Sequence, residues 1–130
     1  MNDNLDAFDR FRASMQEYVP ALLRQTVENY GDFYITVSDS KYPLLQFLAF
    51  IPERRSLPPY CYSIEIEEKA RSQGIGRRVF GFWETYLDEL DYQIAGAASV
   101  YNTGFISALG YQPHPRINRF WTKQLMLNRL

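Results

Sequence analysis

The stretch Arg71-Ser72-Gln73-Gly74-Ile75-Gly76, continued at once by Arg77 and Arg78, constrains this chain more than any other. Before it, Tyr62, Ile64 and Ile66 alternate with other residues at the period of a strand. After it, Ile75, Val79, Phe82, Trp83, Tyr86, Leu87 and Leu90 recur at the threes and fours of a helix. The six residues are therefore a strand-to-helix turn that ends on two glycines. Glycine tolerates positive φ and lets a backbone approach a ligand closely. The unpaired N–H groups of a helix's first turn, backed by its dipole, favour an anion. Arg71, Arg77 and Arg78 add positive charge beside that seat. The turn suits a phosphate or pyrophosphate. It equally suits a tight turn leading into a solvated basic helix start. Two nucleotide motifs are excluded: Val79 stands where a third glycine would fall, and no Gly-Lys-Ser/Thr follows.

The rest of the chain reads as one domain, 1–130, with two helices in 1–31 and a sheet core in 32–130. Leu5, Phe8, Phe11, Met15 and Tyr18 have helical spacing. Pro20 then suits the start of a second helix carrying Leu22, Leu23, Val27 and Tyr30. Phe33–Val37, Leu44–Ile51 and Tyr60–Glu67 read as three strands that pair antiparallel through short connections. After the central helix, Tyr92–Val100 is a strand that a crossover helix would set parallel to Tyr60–Glu67. Asn102 caps a short helix to Leu109, Gly110 ends it, Pro113-His114-Pro115 is an irregular loop, and Arg119–Leu127 is a last strand.

Composition removes several function classes. A net charge of −1 supplies no global field for nucleic acid or an anionic membrane, so neither is expected as a partner. No apolar run reaches the length of a membrane span. The polar, acidic start (Met1-Asn2-Asp3-Asn4) is unlike a signal peptide, and a cytoplasmic location is expected. Cys61 is the single cysteine, which excludes an internal disulfide; flanked by Tyr60 and Tyr62, it reads as a buried thiol. His114 is the single histidine, so no metal site is expected, and between two prolines it reads as a surface residue. Ten Tyr and nine Phe suit a core of large side chains, or else a sticky face for a partner such as a second copy in a homodimer.

Arg71-x-x-Gly74-x-Gly76 after an apolar strand resembles motif A of the GCN5-related N-acetyltransferases. Asn102, followed by Phe105-Ile106-Ser107-Ala108-Leu109-Gly110-Tyr111, resembles the same family's motif B. Together the two cover roughly residues 60 to 126. The resemblance implies an α/β fold with a mixed, mostly antiparallel sheet and flanking helices. It also implies acetyl-CoA as co-substrate, with the turn's amides on its pyrophosphate. The usual first strand of that family, ahead of the helices, is missing here. By resemblance, Ile64, Glu65 and Ile66 line the pantetheine and acetyl group. Arg71, Ser72, Gln73, Gly74, Ile75, Gly76 and Arg77 hold the phosphates, and Asn102 assists from motif B.

Acetyl transfer to an amine needs the thioester held, the amine deprotonated and the developing oxyanion stabilised. Strand alternation places Ser63, Glu65 and Glu67 on one face, opposite Ile64 and Ile66. Partial burial would make Glu65, and after it Glu67, a general base. The residue that matches the family's tyrosine acid is Ile106, which donates no proton. Neither Tyr101 nor Tyr111 occupies that position. The expected reaction is direct attack of an amine (protein lysine, N-terminus or small molecule) in a ternary complex. The alternative is a non-catalytic protein of the same fold that works through protein contacts.

Overall fold

A computed structural model describes residues 3–18, 21–27, 33–39, 45–52, 57–66, 74–98 and 103–125. The chain runs α1 (Asp3–Tyr18), β1 (Ala21–Val27), β2 (Phe33–Asp39), β3 (Leu45–Ile51), β4 (Tyr60–Ile66) and α2 (Ile75–Glu89). It continues through β5 (Ile94–Ala98), α3 (Thr103–Ala108), β6 (Gln112–Pro113) and β7 (Phe120–Gln124). The strands form one sheet in the order β1-β2-β3-β4-β5-β7-β6. Every pairing is antiparallel except β4 with β5, the pair joined by the α2 crossover.

The second helix expected within 1–31 is a strand. Residues 21–27 pair with β2 over a full ladder, from Ala21 opposite Asp39 to Val27 opposite Phe33. The helical spacing of Leu22, Leu23 and Val27 is genuine, but so short a segment after Pro20 is a marginal helix. The free edge of β2 offers it a hydrogen-bonded ladder instead. No strand precedes α1 among the described residues, and β1 forms the sheet's edge. The turn after α3 also differs: the expected loop begins as β6, and Pro113 sits on an edge strand, where its missing N–H does no harm.

The large side chains form the core. Ala7, Phe8, Phe11 and Met15 of α1 are buried against the apolar stripe Val79, Phe80, Trp83, Tyr86 and Leu87 of α2. Phe11 stacks on Tyr86 at 5.2 Å between ring centroids, and Phe47 of β3 meets Trp83 edge-on at 5.7 Å. Ala49, Cys61, Ile64, Ala95 and Ala97 complete the buried face of the sheet. The indole Nε1 of Trp83 is buried with no hydrogen-bond partner among the described residues, which costs about 1–3 kcal/mol. The ring contacts of Trp83 with Phe11, Phe47 and Tyr86 offset that cost.

The alternation expected along β4 breaks at Tyr62. Leu48 of β3 faces Ser63 while the next residue, Ala49, faces Cys61, so Tyr62 is the extra residue of a β-bulge. The bulge turns Cys61 and Ile64 inwards and leaves Tyr62 55% exposed, so Tyr62 does not share the buried face of Ile64.

Both helix ends use residues at positive φ. Asp91 (φ 67°) follows α2, with Tyr92 N–H donating to the Leu87 carbonyl at 3.0 Å. Gly110 (φ 97°) follows α3, with Tyr111 N–H donating to the Ile106 carbonyl at 3.3 Å. In β5, a Cβ at Gly96 would lie 2.6 Å from Phe120 Cζ and 3.0 Å from Tyr60 Cβ. Phe120 is buried and cannot swing clear, and Tyr60 Cβ is anchored to its strand. Gly96→Ala should therefore destabilise the fold by roughly 1–3 kcal/mol, read as a lower urea midpoint with an unchanged slope. An unchanged midpoint would show that Phe120 relaxes freely.

Candidate functional site

Among the described residues, strands β4 and β5 pair at two positions, Tyr60 with Gly96 and Cys61 with Ala97. The bulge at Tyr62 follows, and from Ser63 to Ile66 β4 has no partner on its β5 side among the described residues. Backbone N–H and C=O groups on an open strand edge are free to bind an extended ligand. Ile64, Glu65 and Ile66, expected beside the thioester, lie on this segment. Ile64 is buried and fixes the strand to the core, while Glu65 is exposed.

The turn beyond β4 delivers the start of α2. Gly74 is the N-cap at φ 79°, ψ 10°, the left-handed conformation that only glycine adopts cheaply. The first helical bond runs from Arg78 N–H to the Gly74 carbonyl at 3.0 Å. The N–H groups of Ile75, Gly76 and Arg77 thus have no helical acceptor. Among the described residues no side chain caps this end, and no acid lies in the first turn to neutralise the positive end of the dipole. A Cβ built on Gly74 would meet no described atom within 4 Å. Gly76 is buried, whereas Arg77 and Arg78 are exposed, the latter with its guanidinium 5.7 Å from the Phe82 ring centroid. Arg71, Ser72, Gln73, Glu67 and Asn102 lie outside the described residues.

The candidate proton-transfer groups fare differently. Because Glu65 is exposed, the partial burial on which its role as a base was to rest is not there. Ile106, at the family's tyrosine position, is 2% exposed and packs into the core. Tyr111 is buried, and its hydroxyl donates to Glu84 Oε2 at 2.8 Å. Burial, reinforced by the Glu84 carboxylate, pushes this phenol well above its ordinary range, so it is no acid for a nearby thiolate. Cys61 is also buried, its thiol donates to the Ser63 carbonyl at 3.4 Å, and burial pushes it far up. It is the inert thiol expected. His114 is not a plain surface residue: it is half-buried, and Nδ1 accepts the N–H groups of Arg116 and Ile117, each at 3.0 Å.

Sequence reasoning missed one polar cluster. Glu84 is 6% exposed; besides Tyr111 it binds Lys123 Nζ through Oε1 at 3.0 Å. Lys123 Nζ also lies 5.8 Å from the Tyr111 ring centroid. The available signal was a carboxylate between Phe80, Trp83 and Leu87 on the apolar stripe of α2.

The fold has solved counterparts. The E. coli protein YhhK, assigned as an N-acetyltransferase and solved by NMR bound to coenzyme A, superposes with a TM-score of 0.52 at 18% identity; the match covers 89% of this chain and 90% of that one. A Klebsiella pneumoniae protein assigned as an acyl-CoA N-acyltransferase gives 0.52 at 12% identity, over 94% and 87%. No family model and no curated protein sequence matches the chain. The chain shares its α/β fold with these two proteins, as the motif resemblance implies.

Two predictions come from this geometry. Gly74→Ala should cost about 1–2 kcal/mol from the left-handed backbone alone, since the new methyl meets no described neighbour; a neutral result in chemical denaturation would argue against the αL cap. Alkaline stability should also fall. Cys61, with an ordinary value of 9.0, and Tyr86 and Tyr111, with ordinary values of 10.0, are all raised in the fold, chiefly by burial. Their contribution is complete below those values and declines as the unfolded chain loses protons that the fold retains. Above about pH 10 each group adds a slope of ~1.4 kcal/mol per pH unit. Tyr111→Phe should make that slope shallower by one group in pH-dependent urea unfolding. An identical slope would sink the assignment.

Proposed function

We propose that this chain is an acetyl-CoA-dependent N-acetyltransferase. The observation that carries the proposal is the pairing of an open β4 edge at Ser63–Ile66 with an α2 start at Gly74 that no described side chain caps. An extended, amide-rich arm fits an open strand edge, and a diphosphate fits an acid-free helix start entered through an αL glycine. When bound, acetyl-CoA supplies an activated acetyl thioester. The N–H groups of Ile75, Gly76 and Arg77 would hold the diphosphate, joined by Arg71, Ser72, Gln73 and Arg77 side chains. Ile64, Glu65 and Ile66 would align the arm, with Asn102 assisting.

The acceptor is a primary amine on a protein lysine, an N-terminus or a small molecule. Its lone pair attacks the carbonyl carbon, the C–S bond breaks, and the sulfur leaves as thiolate. The amine's proton passes to a carboxylate of β4, Glu65 first and Glu67 second, through a water where the carboxylate is exposed. No covalent enzyme intermediate is needed, since Cys61 is sealed in the core. No helix of the described residues is long and apolar enough to cross a membrane, and we place the reaction in the cytoplasm. The buried Ile106 favours a second reading, a protein that binds the cofactor or a partner without turnover.

Calorimetric titration with acetyl-CoA tests the proposal. Wild-type chain should bind in the micromolar range, and Gly74→Trp should weaken binding at least about a hundredfold. No binding by a folded wild-type chain overturns it. Glu65→Gln should then lower turnover more than cofactor affinity; binding with no turnover on any amine would leave the second reading standing.

A further inference from the structure

A second concave site lies away from the Gly74 turn. The link between β6 and β7 borders a shallow, open cleft of about 530 Å³, lined among others by Thr103, His114, Arg116, Asn118, Arg119 and Trp121. The β5–β7 register runs from Ile94 opposite Gln124 to Ala98 opposite Phe120, which puts this turn at the C-terminal end of β5. Strand β4 is parallel to β5, so its unpaired segment points towards the same end of the sheet. The Tyr60 ring of β4 meets the Phe120 ring of β7 with centroids 5.5 Å apart.

The charge around this cleft is one-sided. All fifteen Asp and Glu of the chain lie at or before Asp91, and from Tyr92 to Leu130 there is none. The same stretch carries Arg116, Arg119, Lys123, Arg129 and His114. Lys123 is committed to Glu84, but Arg116 and Arg119 are exposed and join no ion pair among the described residues. The turn that presents them is braced. His114 N–H donates to the Phe120 carbonyl at 2.7 Å, and its Nδ1 accepts the Arg116 and Ile117 amides. With Nδ1 so occupied, the neutral ring carries its proton on Nε2 and is a donor there. Arg119 is held at φ 60°, an unusual state for a residue with a Cβ.

We infer that this cleft binds an oxyanion, carboxylate or phosphate, carried by the acetyl acceptor, so that the preferred amine belongs to an acidic molecule. Two guanidinium forks, a ring N–H and the Thr103 and Asn118 side chains match such a group in donor type, and no carboxylate is among the residues that line the cleft. The acceptor part of this inference rests on the acetyl-transfer reading; the anion site does not.

The test is a ¹⁵N amide spectrum of the full chain saturated with CoA, titrated separately with succinate and with inorganic phosphate to about 20 mM. The amides of Arg116–Arg119 report the cleft, and those of Gly74–Arg77 report the cofactor turn. At least one anion should shift the cleft amides saturably, and Arg116→Gln with Arg119→Gln should abolish that shift while the CoA shifts at Gly74 persist. A response to succinate alone identifies a carboxylate site, and to phosphate alone a phosphate site. Cleft amides that stay still with both anions, or a response that survives in the double variant, overturn the inference. Anion shifts at the cleft with none from CoA at Gly74 would keep the anion site and overturn its link to an acceptor. In acetylation assays, the double variant should raise KM for a carboxylate-bearing amine at least about tenfold and leave KM for the matching carboxamide unchanged. Equal effects on both overturn the acceptor part.

Discussion

The candidate site depends on one interruption: among the described residues, β4 and β5 share two paired positions and then part. A parallel pair cannot be joined by a tight turn, so a crossover helix is obligatory, and α2 supplies it. The bulge at Tyr62 lets β4 leave its partner without giving up the core, because Cys61 and Ile64 on either side still point inwards. An exposed edge is usually a liability. Here the buried Ile64 anchors it to the core, as a preorganised binding edge requires.

The helix that carries the turn is gripped from three directions. Phe11 and Phe8 press on it from α1, Phe47 from the sheet, and Tyr111 and Lys123 hold Glu84 from the far strands. The last contact differs in kind. A buried carboxylate with a lysine and a phenol contributes little net stability compared with an apolar replacement, but losing one partner strands a charge. Such a contact penalises misplacement more than it rewards assembly. It ties α2 to β7 and to the residue after Gly110, the same elements that shape the β6–β7 cleft.

Much of this was legible in the sequence, and the failures have physical causes. The helix that starts at Gly74, the parallel crossover and the end at Gly110 follow from local periodicity and residues suited to positive φ. Residues 21–27 failed because their apolar spacing fits a helix, while the ladder offered by β2 is a tertiary fact. Tyr62 failed because alternation presumes an unbroken register, and a bulge leaves no mark in a single strand's sequence. Glu84 was visible as a carboxylate on an apolar stripe, but its partners, 27 and 39 residues away, were not. His114 was read from its prolines as exposed, and the two amides that occupy Nδ1 exist only once the turn has formed.

The chemistry that remains is weighted towards positioning. The phenol nearest the end of α3 is spent on Glu84, and the place where a tyrosine acid would stand is filled by Ile106 facing the core. General acid–base help contributes about 10²–10⁴ in rate, whereas holding two reactants in line is worth effective molarities of about 10⁵–10⁸ M. A thiolate is a good enough leaving group to depart unaided. In the proposed reaction, removing the acid therefore forfeits the smaller factor and keeps the larger, provided both reactants are gripped. The open edge of β4 and the Gly74 turn would grip one. The other needs an anchor of its own at the same end of the sheet, and the braced arginines of the β6–β7 turn stand there.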